Sequence, residues 1–302
     1  MNVNLEYYRI FYYVAKYENF TKAARALNNS QPNITRAMNC LEHEVNCTLF
    51  VRTNRGVYLT PEGERLYTRV SAAMKQFQLA EEELSDSAGL EYGSISIGAT
   101  ETALNIYLLE RLKKFHMSYP GVKIKITNHS TPQAIRSLKS GEIDFAVVTT
   151  PLEMDGSMNE VELSEFREML VGGRSFSELE NRKLSLKDLK EYPFISLGAD
   201  TATYHFYDQL FLSYGAELVA DTEAATTDQI LSLVKNELGL AFLPESMVEE
   251  AIRKQEIVPI RLNESIPNRF VSMVYDSGRP MSAAAQKLKK LLVEESVKPQ
   301  YS

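Results

Sequence analysis

The chain has 302 residues, enough for two or three domains, and 44% of them are hydrophobic and 24% charged, as in ordinary globular proteins. No apolar run approaches the ~20 residues of a membrane-spanning helix, and the N-terminus lacks the pattern of an export signal. We therefore expect a cytoplasmic protein without a membrane partner.

The two cysteines, Cys40 and Cys47, make neither a disulfide framework nor a set of zinc ligands. They are therefore either incidental thiols or a redox pair.

Charge is distributed unevenly along the chain. The formal net charge is −7, yet between residues 20 and 60 the acidic residues Glu42 and Glu44 are outnumbered by five basic ones. These basic residues are Lys22, Arg25, Arg36, Arg52 and Arg55. An acidic body with a locally basic N-terminal region is typical of a protein that touches phosphate with one end only.

Three short helices are predicted in the N-terminal region. Apolar residues at helical spacing predict the first helix over residues 4–18, and Thr21 is the expected N-cap of the second. Asn28 predicts the turn that follows, because Asn tolerates a left-handed backbone better than other non-glycine residues. Ser30 is then the expected N-cap of a third helix, which extends over 30–46.

The third helix has two contrasting faces, and a hairpin follows it. The face that we expect to be buried is apolar and consists of Ile34, Met38, Leu41 and Val45. The opposite face carries short hydrogen-bonding side chains and one arginine, which suit base edges and phosphates in a major groove. Two short extended pieces, 50–52 and 57–59, predict a small wing after this helix.

A long helix is predicted from Thr60 to about Ser87. Six of its side chains recur at the alternating spacing of four and three residues that defines a heptad seam: Leu66, Val70, Ala73, Phe77, Ala80 and Leu84. The pattern favours a dimerising coiled coil. A helix packed on its own chain is the alternative, because the run is shorter than three heptads.

The remainder of the chain alternates between strand and helix patterns. Alternation of this kind predicts open, mostly parallel sheets with helices on both faces. Two such groups predict two lobes with a cleft between them. We place lobe I at 93–161 and 267–302 and lobe II at 162–266, with one of its strands at 217–221.

The segment NFTKAARALNNSQPNITRAMNCLEHEV, followed by LFVRTNRGVYLTPEG, resembles the DNA-binding domain of LysR-type transcriptional regulators. The matching residues are Phe20, Ala23, Ala24, Leu27, Ser30, Gln31, Pro32, Thr35, Arg36, Leu41, Glu42, Leu49, Phe50, Arg52, Arg55, Leu59, Thr60 and Gly63. The spacing fits without a gap, and the long helix, the two lobes and the total length fit the family too. Asn33 and Asn46 depart from the family pattern, and Asn46 still accepts a left-handed cap.

The resemblance implies a sequence-specific transcription regulator with three parts. These are an N-terminal winged helix-turn-helix of helices and a small β-wing at 1–60, a long dimerising linker helix at 61–89, and a C-terminal α/β two-lobed periplasmic-binding-protein-like effector domain at 93–302. The implied partners are double-stranded DNA, a small-molecule effector and further copies of the chain in a homodimer or homotetramer. The resemblance also allows contact with RNA polymerase.

The resemblance also assigns roles to the helix-turn-helix side chains. The expected base-edge contacts are Gln31, Pro32, Asn33, Thr35 and Asn39. The expected contacts to phosphate or to the minor groove are Arg36, Arg52 and Arg55.

In the family, the effector lies between the lobes against strand-to-helix turns, and in this chain those turns are rich in hydroxyl groups. Hydroxyls favour a polar effector, with a carboxylate as the first choice, although the carboxylate of Glu101 would repel it. The expected effector contacts are Thr100, Glu101, Thr102, Ser130, Thr131, Thr149, Thr201, Thr203 and Thr227.

Two other classes of protein compete with a regulator. An enzyme is disfavoured because the sequence holds no phosphate loop, dinucleotide fingerprint, zinc-protease motif or nucleophile elbow. We therefore expect no catalytic residue, metal site or cofactor beyond the effector. A cytoplasmic solute-binding module without DNA function would share the two lobes, but the N-terminal helix-turn-helix pattern opposes it.

Overall fold

The structure is a computed structural model that describes residues 3–53, 56–85, 93–154 and 156–296. The chain divides into an N-terminal and a C-terminal unit between residues 85 and 93, and residues 139–142 are assigned to the N-terminal unit. None of the described helices is both long enough and apolar enough to cross a membrane.

The N-terminal unit consists of helices and one hairpin. In chain order its elements are α1 (Leu5–Tyr17), α2 (Phe20–Ala26), α3 (Gln31–Glu44), β1 (Phe50–Thr53), β2 (Gly56–Leu59) and α4 (Pro61–Ser85). Strands β1 and β2 pair antiparallel and form the predicted wing. One apolar core joins these elements, and its most buried side chains include Phe11, Ile34, Met38 and Leu41.

Side-chain caps set the helix boundaries of this unit. The side chain of Asn19, whose backbone is extended, accepts a hydrogen bond from the backbone N–H of Lys22 and begins α2. The prediction of Thr21 as this cap was therefore wrong, because Thr21 already lies in the first turn. Ser30 caps α3 as predicted, and Asn28 adopts the left-handed backbone expected of the turn, with φ of 49°.

The C-terminal unit alternates between strands and helices. In chain order its elements are β3 (Gly93–Ala99), α5 (Glu101–Ala103), a π-helical turn (Leu104–Leu108), α6 (Leu109–Ser118), β4 (Val122–Asn128), α7 (Thr131–Ser140), β5 (Phe145–Thr149), β6 (Met158–Phe166), β7 (Glu168–Gly173), a 3-10 helix (Arg174–Leu179), β8 (Lys183–Leu184), a second 3-10 helix (Leu186–Glu191), β9 (Ile195–Leu197), α8 (Ala202–Ser213), β10 (Thr222–Ala224), α9 (Thr227–Lys235), β11 (Ala241–Pro244), α10 (Glu245–Arg253), β12 (Ile257–Leu262), β13 (Arg269–Asp276) and α11 (Ala283–Ser296).

The sheet of lobe I has the strand order β4-β3-β5-β13-β6. Strand β3 is parallel to β4 and β5, whereas β13 is antiparallel to β5 and β6. Side chains of β5 alternate between two cores: Phe145 and Val147 join the core that contains α6 and α11, and Ala146 and Val148 join the core that contains α7. Helices therefore cover both faces of this sheet, as predicted.

The sheet of lobe II has the strand order β11-β7-β12-β8, and β9 and β10 form a parallel pair. Strand β7 is antiparallel to β11 and to β12. Strand β12 is parallel to β8, so among the described strands each lobe combines two antiparallel pairs with two parallel ones, and the prediction of mostly parallel sheets was wrong for both lobes. Residues 217–221 are not a strand either, because the pairing with β9 begins only at Thr222.

The chain crosses between the two sheets twice. Strand β6 pairs with β13 up to Phe166, so the first crossing lies at Arg167 and not at 161–162, as the sequence had predicted. The return crossing lies between β12 and β13, close to the predicted position. The first boundary was misplaced because β6 is an edge strand with one half-exposed face, which leaves little apolar signal in its sequence.

Candidate functional site

The exposed face of α3 carries the side chains that the sequence predicted for base contact. Gln31, Pro32, Asn33 and Asn39 are exposed and Thr35 is half-buried. The apolar face of the same helix is buried in the core of the N-terminal unit. A helix that is anchored on one side and polar on the other can enter a groove without disturbing its own domain.

Side-chain contacts orient the start of α3. The Thr21 hydroxyl bonds the side-chain oxygen of Gln31 at 3.3 Å, and the Asn33 amide nitrogen donates to the Asn29 side chain at 3.1 Å. Arg36 is exposed and forms no ion pair or hydrogen bond through its side chain within the described residues. Its guanidinium is therefore available for a phosphate.

Glu42 ties the wing to α3. Its Oε1 accepts the backbone N–H of Leu49 at 2.7 Å and that of Phe50 at 3.1 Å. The sequence analysis assigned this carboxylate no specific role, whereas its two contacts show that it positions the wing. Of the predicted wing arginines, Arg52 lies on β1 opposite Val57, and Arg55 falls outside the described residues.

The heptad positions of α4 fall into two groups. Leu66 and Val70 pack into the core of the N-terminal unit, and Val70 is only 7% exposed. The prediction of one continuous dimer seam was therefore wrong at these two positions, because the first turns of α4 lie against their own domain. Ala73, Ala80 and Phe77 are exposed, Phe77 at 56%. The side chain of Leu84, the last predicted seam position, lies outside the described part of the chain.

An open cleft of about 510 Å³ lies between the two lobes of the C-terminal unit. The structure brings all nine predicted effector residues to it, namely Thr100, Glu101, Thr102, Ser130, Thr131, Thr149, Thr201, Thr203 and Thr227. Helices α5 and α7 of lobe I and α8 and α9 of lobe II all begin at this cleft. It is large enough for a small metabolite.

Several hydroxyls of the cleft already cap helices. Thr100 Oγ1 accepts the N–H of Ala103 at 3.3 Å, and Thr201 Oγ1 accepts the N–H of Tyr204 at 3.2 Å. Ser130, which immediately precedes α7, is different. Its Oγ is buried and has no hydrogen-bond partner among the described residues. A buried hydroxyl without a partner is costly, so this atom is a favourable position for a ligand or a water.

Hydrogen bonds join the start of α5 in lobe I to the start of α9 in lobe II at the cleft. The hydroxyls of Thr102 and Thr227 lie 3.0 Å apart, and the backbone N–H of Asp228 donates to Glu101 Oε2 at 3.2 Å. Burial and the nearby Glu101 carboxylate raise the pKa of the Asp228 carboxyl above its ordinary value. A ligand in the cleft would contact three of these four residues, since Asp228 alone does not line it.

A buried arginine that the sequence analysis did not select lies beside the cleft. Arg269 is 2% exposed and donates to the hydroxyls of Thr149 at 3.3 Å and Thr203 at 2.9 Å. It also donates to the Thr150 carbonyl at 2.8 Å and pairs with the Glu168 carboxylate at 3.0 Å. The only sequence signal was one arginine at the start of a strand that is otherwise largely apolar.

Tyr207 completes this network. Its hydroxyl donates to the second carboxylate oxygen of Glu168. Burial, followed by the negative charge of Glu168, raises the pKa of the Tyr207 phenol well above its ordinary value, so it remains a donor at neutral pH.

Two family models match the chain. A model described as bacterial regulatory helix-turn-helix protein, lysR family, matches residues 5–64, and one described as LysR substrate binding domain matches residues 88–296. The chain belongs to the LysR family. It is therefore a DNA-binding transcription regulator with an effector-binding domain and not an enzyme, as the sequence predicted.

Relatives of this LysR-family chain match it over nearly its whole length. The HTH-type transcriptional regulator YofA of Bacillus velezensis is 26% identical over 280 residues, which cover 93% of this chain and 94% of the relative. A probable RuBisCO transcriptional regulator of Cyanophora paradoxa is 28% identical over 291 residues, which cover 94% of this chain and 89% of the relative.

Solved structures of the LysR family share the fold. A full-length OxyR variant from Pseudomonas aeruginosa superposes with a TM-score of 0.73 at 20% identity, covering 98% of this chain and 95% of that one. Full-length CbnR in complex with its target DNA gives a TM-score of 0.68 at 20% identity, covering 97% of this chain and 100% of that one.

Proposed function

We propose that this LysR-family regulator reads duplex DNA with the exposed face of α3 and with the wing, and that it responds to a small polar molecule held between its lobes. The observation that carries the effector site is the convergence of four helix starts and nine predicted side chains on one cleft. Because the regulator acts on genomic DNA, we place it in the cytoplasm, with RNA polymerase as a further partner.

On the DNA side, five residues of α3 are assigned to base edges: Gln31, Pro32, Asn33, Thr35 and Asn39. All but Pro32 are polar, and all but Asn39 lie in the first two turns of a helix whose first N–H groups favour phosphate. Arg36 is assigned to phosphate because it is exposed and unpaired within the described residues. Arg52 and Arg55 of the wing are assigned to phosphate or to the minor groove.

On the effector side, ligand binding acts through the bonds that join the lobes. A molecule in the cleft would touch Glu101, Thr102 and Thr227, so it favours one arrangement of the lobes over another. The active form is a homodimer or homotetramer, for which the exposed part of α4 (Ala73, Phe77 and Ala80) is available. Effector binding then changes the DNA affinity of this assembly.

The experiment measures fluorescence anisotropy of the full-length protein on its own promoter fragment and on a scrambled duplex, over a series of salt concentrations. Arg36→Ala should weaken binding to both duplexes and lower the slope of log K against log salt by about one, because one phosphate contact is lost. Gln31→Ala should lose about 1–3 kcal/mol on the promoter and little on the scrambled duplex.

Glu44→Ala, at the opposite end of the same helix, is the matched control and should leave both affinities unchanged. An unchanged salt slope in Arg36→Ala would contradict the phosphate role. Failure of the wild-type protein to bind any duplex at low salt would contradict the proposed function as a whole.

A further inference from the structure

We propose that the effector carries a positively charged amine, which is bound by carboxylates at the rim of the cleft. This inference rests on the proposed function, because it takes the space between the lobes to be the effector site. It replaces the carboxylate effector that the hydroxyl-rich turns favoured.

The charged lining of the cleft has one sign. Among the described residues that line it, Glu101, Asp200 and Glu223 are acidic and none is a lysine or an arginine. His129 supplies the sole imidazole of this lining. Complementary charge is what selects a ligand at a site of this kind, so the lining favours a cation and opposes an anion.

Two of these carboxylates, those of Asp200 and Glu223, lie close to Gly198 in lobe II. A Cβ atom placed on Gly198 would lie 3.1 Å from Asp200 Oδ1 and 3.9 Å from Glu223 Oε2. Both side chains are exposed, and neither forms an ion pair or a hydrogen bond with the rest of the described chain. Their negative charge is therefore available to a ligand ammonium group, which would donate a charge-assisted hydrogen bond.

The third carboxylate faces them from lobe I. Glu101 is half-buried, and its Oε2 accepts the N–H of Asp228, yet no cation balances the two acidic side chains within the described residues. Burial, followed by the neighbouring Glu101 carboxylate, raises the pKa of the Asp228 carboxyl. An ammonium group beside Glu101 would relieve the repulsion between these two carboxylates and would at the same time favour the contact between the lobes.

The arginine beside the cleft cannot serve an anionic ligand. The Nε, Nη1 and Nη2 groups of Arg269 already bond Thr150, Glu168 and two cleft hydroxyls, and its charge is balanced by Glu168. Of the four helices that begin at the cleft, α7 and α8 carry no acidic residue in their first turns, whereas the other two do. Helices α5 and α9 carry Glu101 and Asp228 in their first turns, and these carboxylates offset the positive ends of the helix dipoles.

Four probes with the same four-carbon chain test the inference on the full-length protein: 1,4-diaminobutane, 4-aminobutanoate, butane-1,4-diol and succinate. We expect millimolar 1,4-diaminobutane to raise the thermal unfolding midpoint most and 4-aminobutanoate less. The diol and succinate should have no effect. Binding of succinate, or absence of binding by both amines, would overturn the inference.

Substitutions of Glu223 test whether the amine binds at this carboxylate. Glu223→Gln should weaken the binding of 1,4-diaminobutane about tenfold in calorimetry, because one charge-assisted bond is lost. Glu223→Lys should abolish this binding and allow succinate to bind instead. Glu217→Gln removes one negative charge from an exposed site of lobe II outside the cleft lining and should change nothing. Glu223 is exposed, so its variants are expected to fold.

The outcomes separate this inference from the proposed function. Succinate binding that is lost in Thr102→Val would show that the cleft binds an effector of the opposite charge. The amine inference would then be wrong, and the proposed effector cleft would be supported. Amine binding that is unchanged both in Glu223→Gln and in Thr102→Val would place the ligand outside the cleft and would contradict both.

Discussion

Arg269 and Glu168 form a buried ion pair whose partners lie in different lobes. Arg269 begins β13 of the first sheet, Glu168 begins β7 of the second, and both side chains are almost fully buried. The attraction between two such charges is offset by the cost of removing them from water, so the pair need not add stability. Removal of one partner is different, because it leaves the other charge buried and uncompensated.

We therefore predict that Arg269→Met lowers the free energy of unfolding of the C-terminal unit by about 3–5 kcal/mol, because Glu168 loses its counter-charge in a buried site. Urea denaturation followed by circular dichroism measures this change. Arg253→Met, at an exposed position of α10, is the control and should change stability by less than about 0.5 kcal/mol.

The double variant Arg269→Met with Glu168→Leu should recover most of the loss, because no charge then remains buried. A loss below about 1 kcal/mol in the single variant would show that water or a rearranged neighbour compensates Glu168, and it would contradict this account.

At the level of elements, α4 changes its environment along its length. Its first turns lie so close to the segment before β1 that a Cβ atom on Gly63 would be 2.2 Å from the Leu49 carbonyl oxygen. Gly63 is therefore required for this approach, and Leu66 and Val70 follow it into the core of their own domain. Farther along the helix, a large aromatic side chain, Phe77, remains 56% exposed.

We predict that Phe77→Ala weakens self-association at least about tenfold, because the side chain would be lost from both copies of a paired helix. Sedimentation equilibrium over a range of protein concentrations measures the dissociation constant. Gln76→Ala, at the neighbouring exposed position, should leave it unchanged. Equal association of Phe77→Ala and wild type would show that this part of α4 is not an interface.

On the scale of the whole molecule, the two units have separate cores. The core of the N-terminal unit is built from α1, α2, α3, the wing and α4, whereas the cores of the C-terminal unit use other elements. A unit with its own core is expected to fold by itself. The effector cleft is lined by residues of the C-terminal unit alone.

We predict that a fragment of residues 93–302 folds with a cooperative thermal transition and binds 1,4-diaminobutane as the full chain does, yet has no affinity for duplex DNA. Circular dichroism, calorimetry and anisotropy measure the three properties. The full-length protein is the reference for each of them. A fragment that lacks a cooperative transition, or that retains duplex binding, would contradict this division of roles.

The sequence alone determined what depends on neighbours along the chain. The Ser30 cap, the left-handed turn at Asn28 and the hydroxyl-rich turns at the cleft each follow from residues within a few positions of one another. The family pattern rests on the same local spacing, because a helix-turn-helix must keep its buried and exposed faces in register. These features could be predicted without coordinates.

Only the tertiary structure decided which distant groups meet. Arg269 and Glu168 are 101 positions apart in the sequence and form an ion pair. Glu101 and Asp228 are 127 positions apart and form a hydrogen bond. The same reason explains why the heptad spacing of α4 was misinterpreted at Val70, and why Asp200 and Glu223 were not selected for the cleft. The spacing of residues in the sequence shows which side chains share a face of a helix. How the elements pack decides what that face contacts and which charged side chains line a cavity.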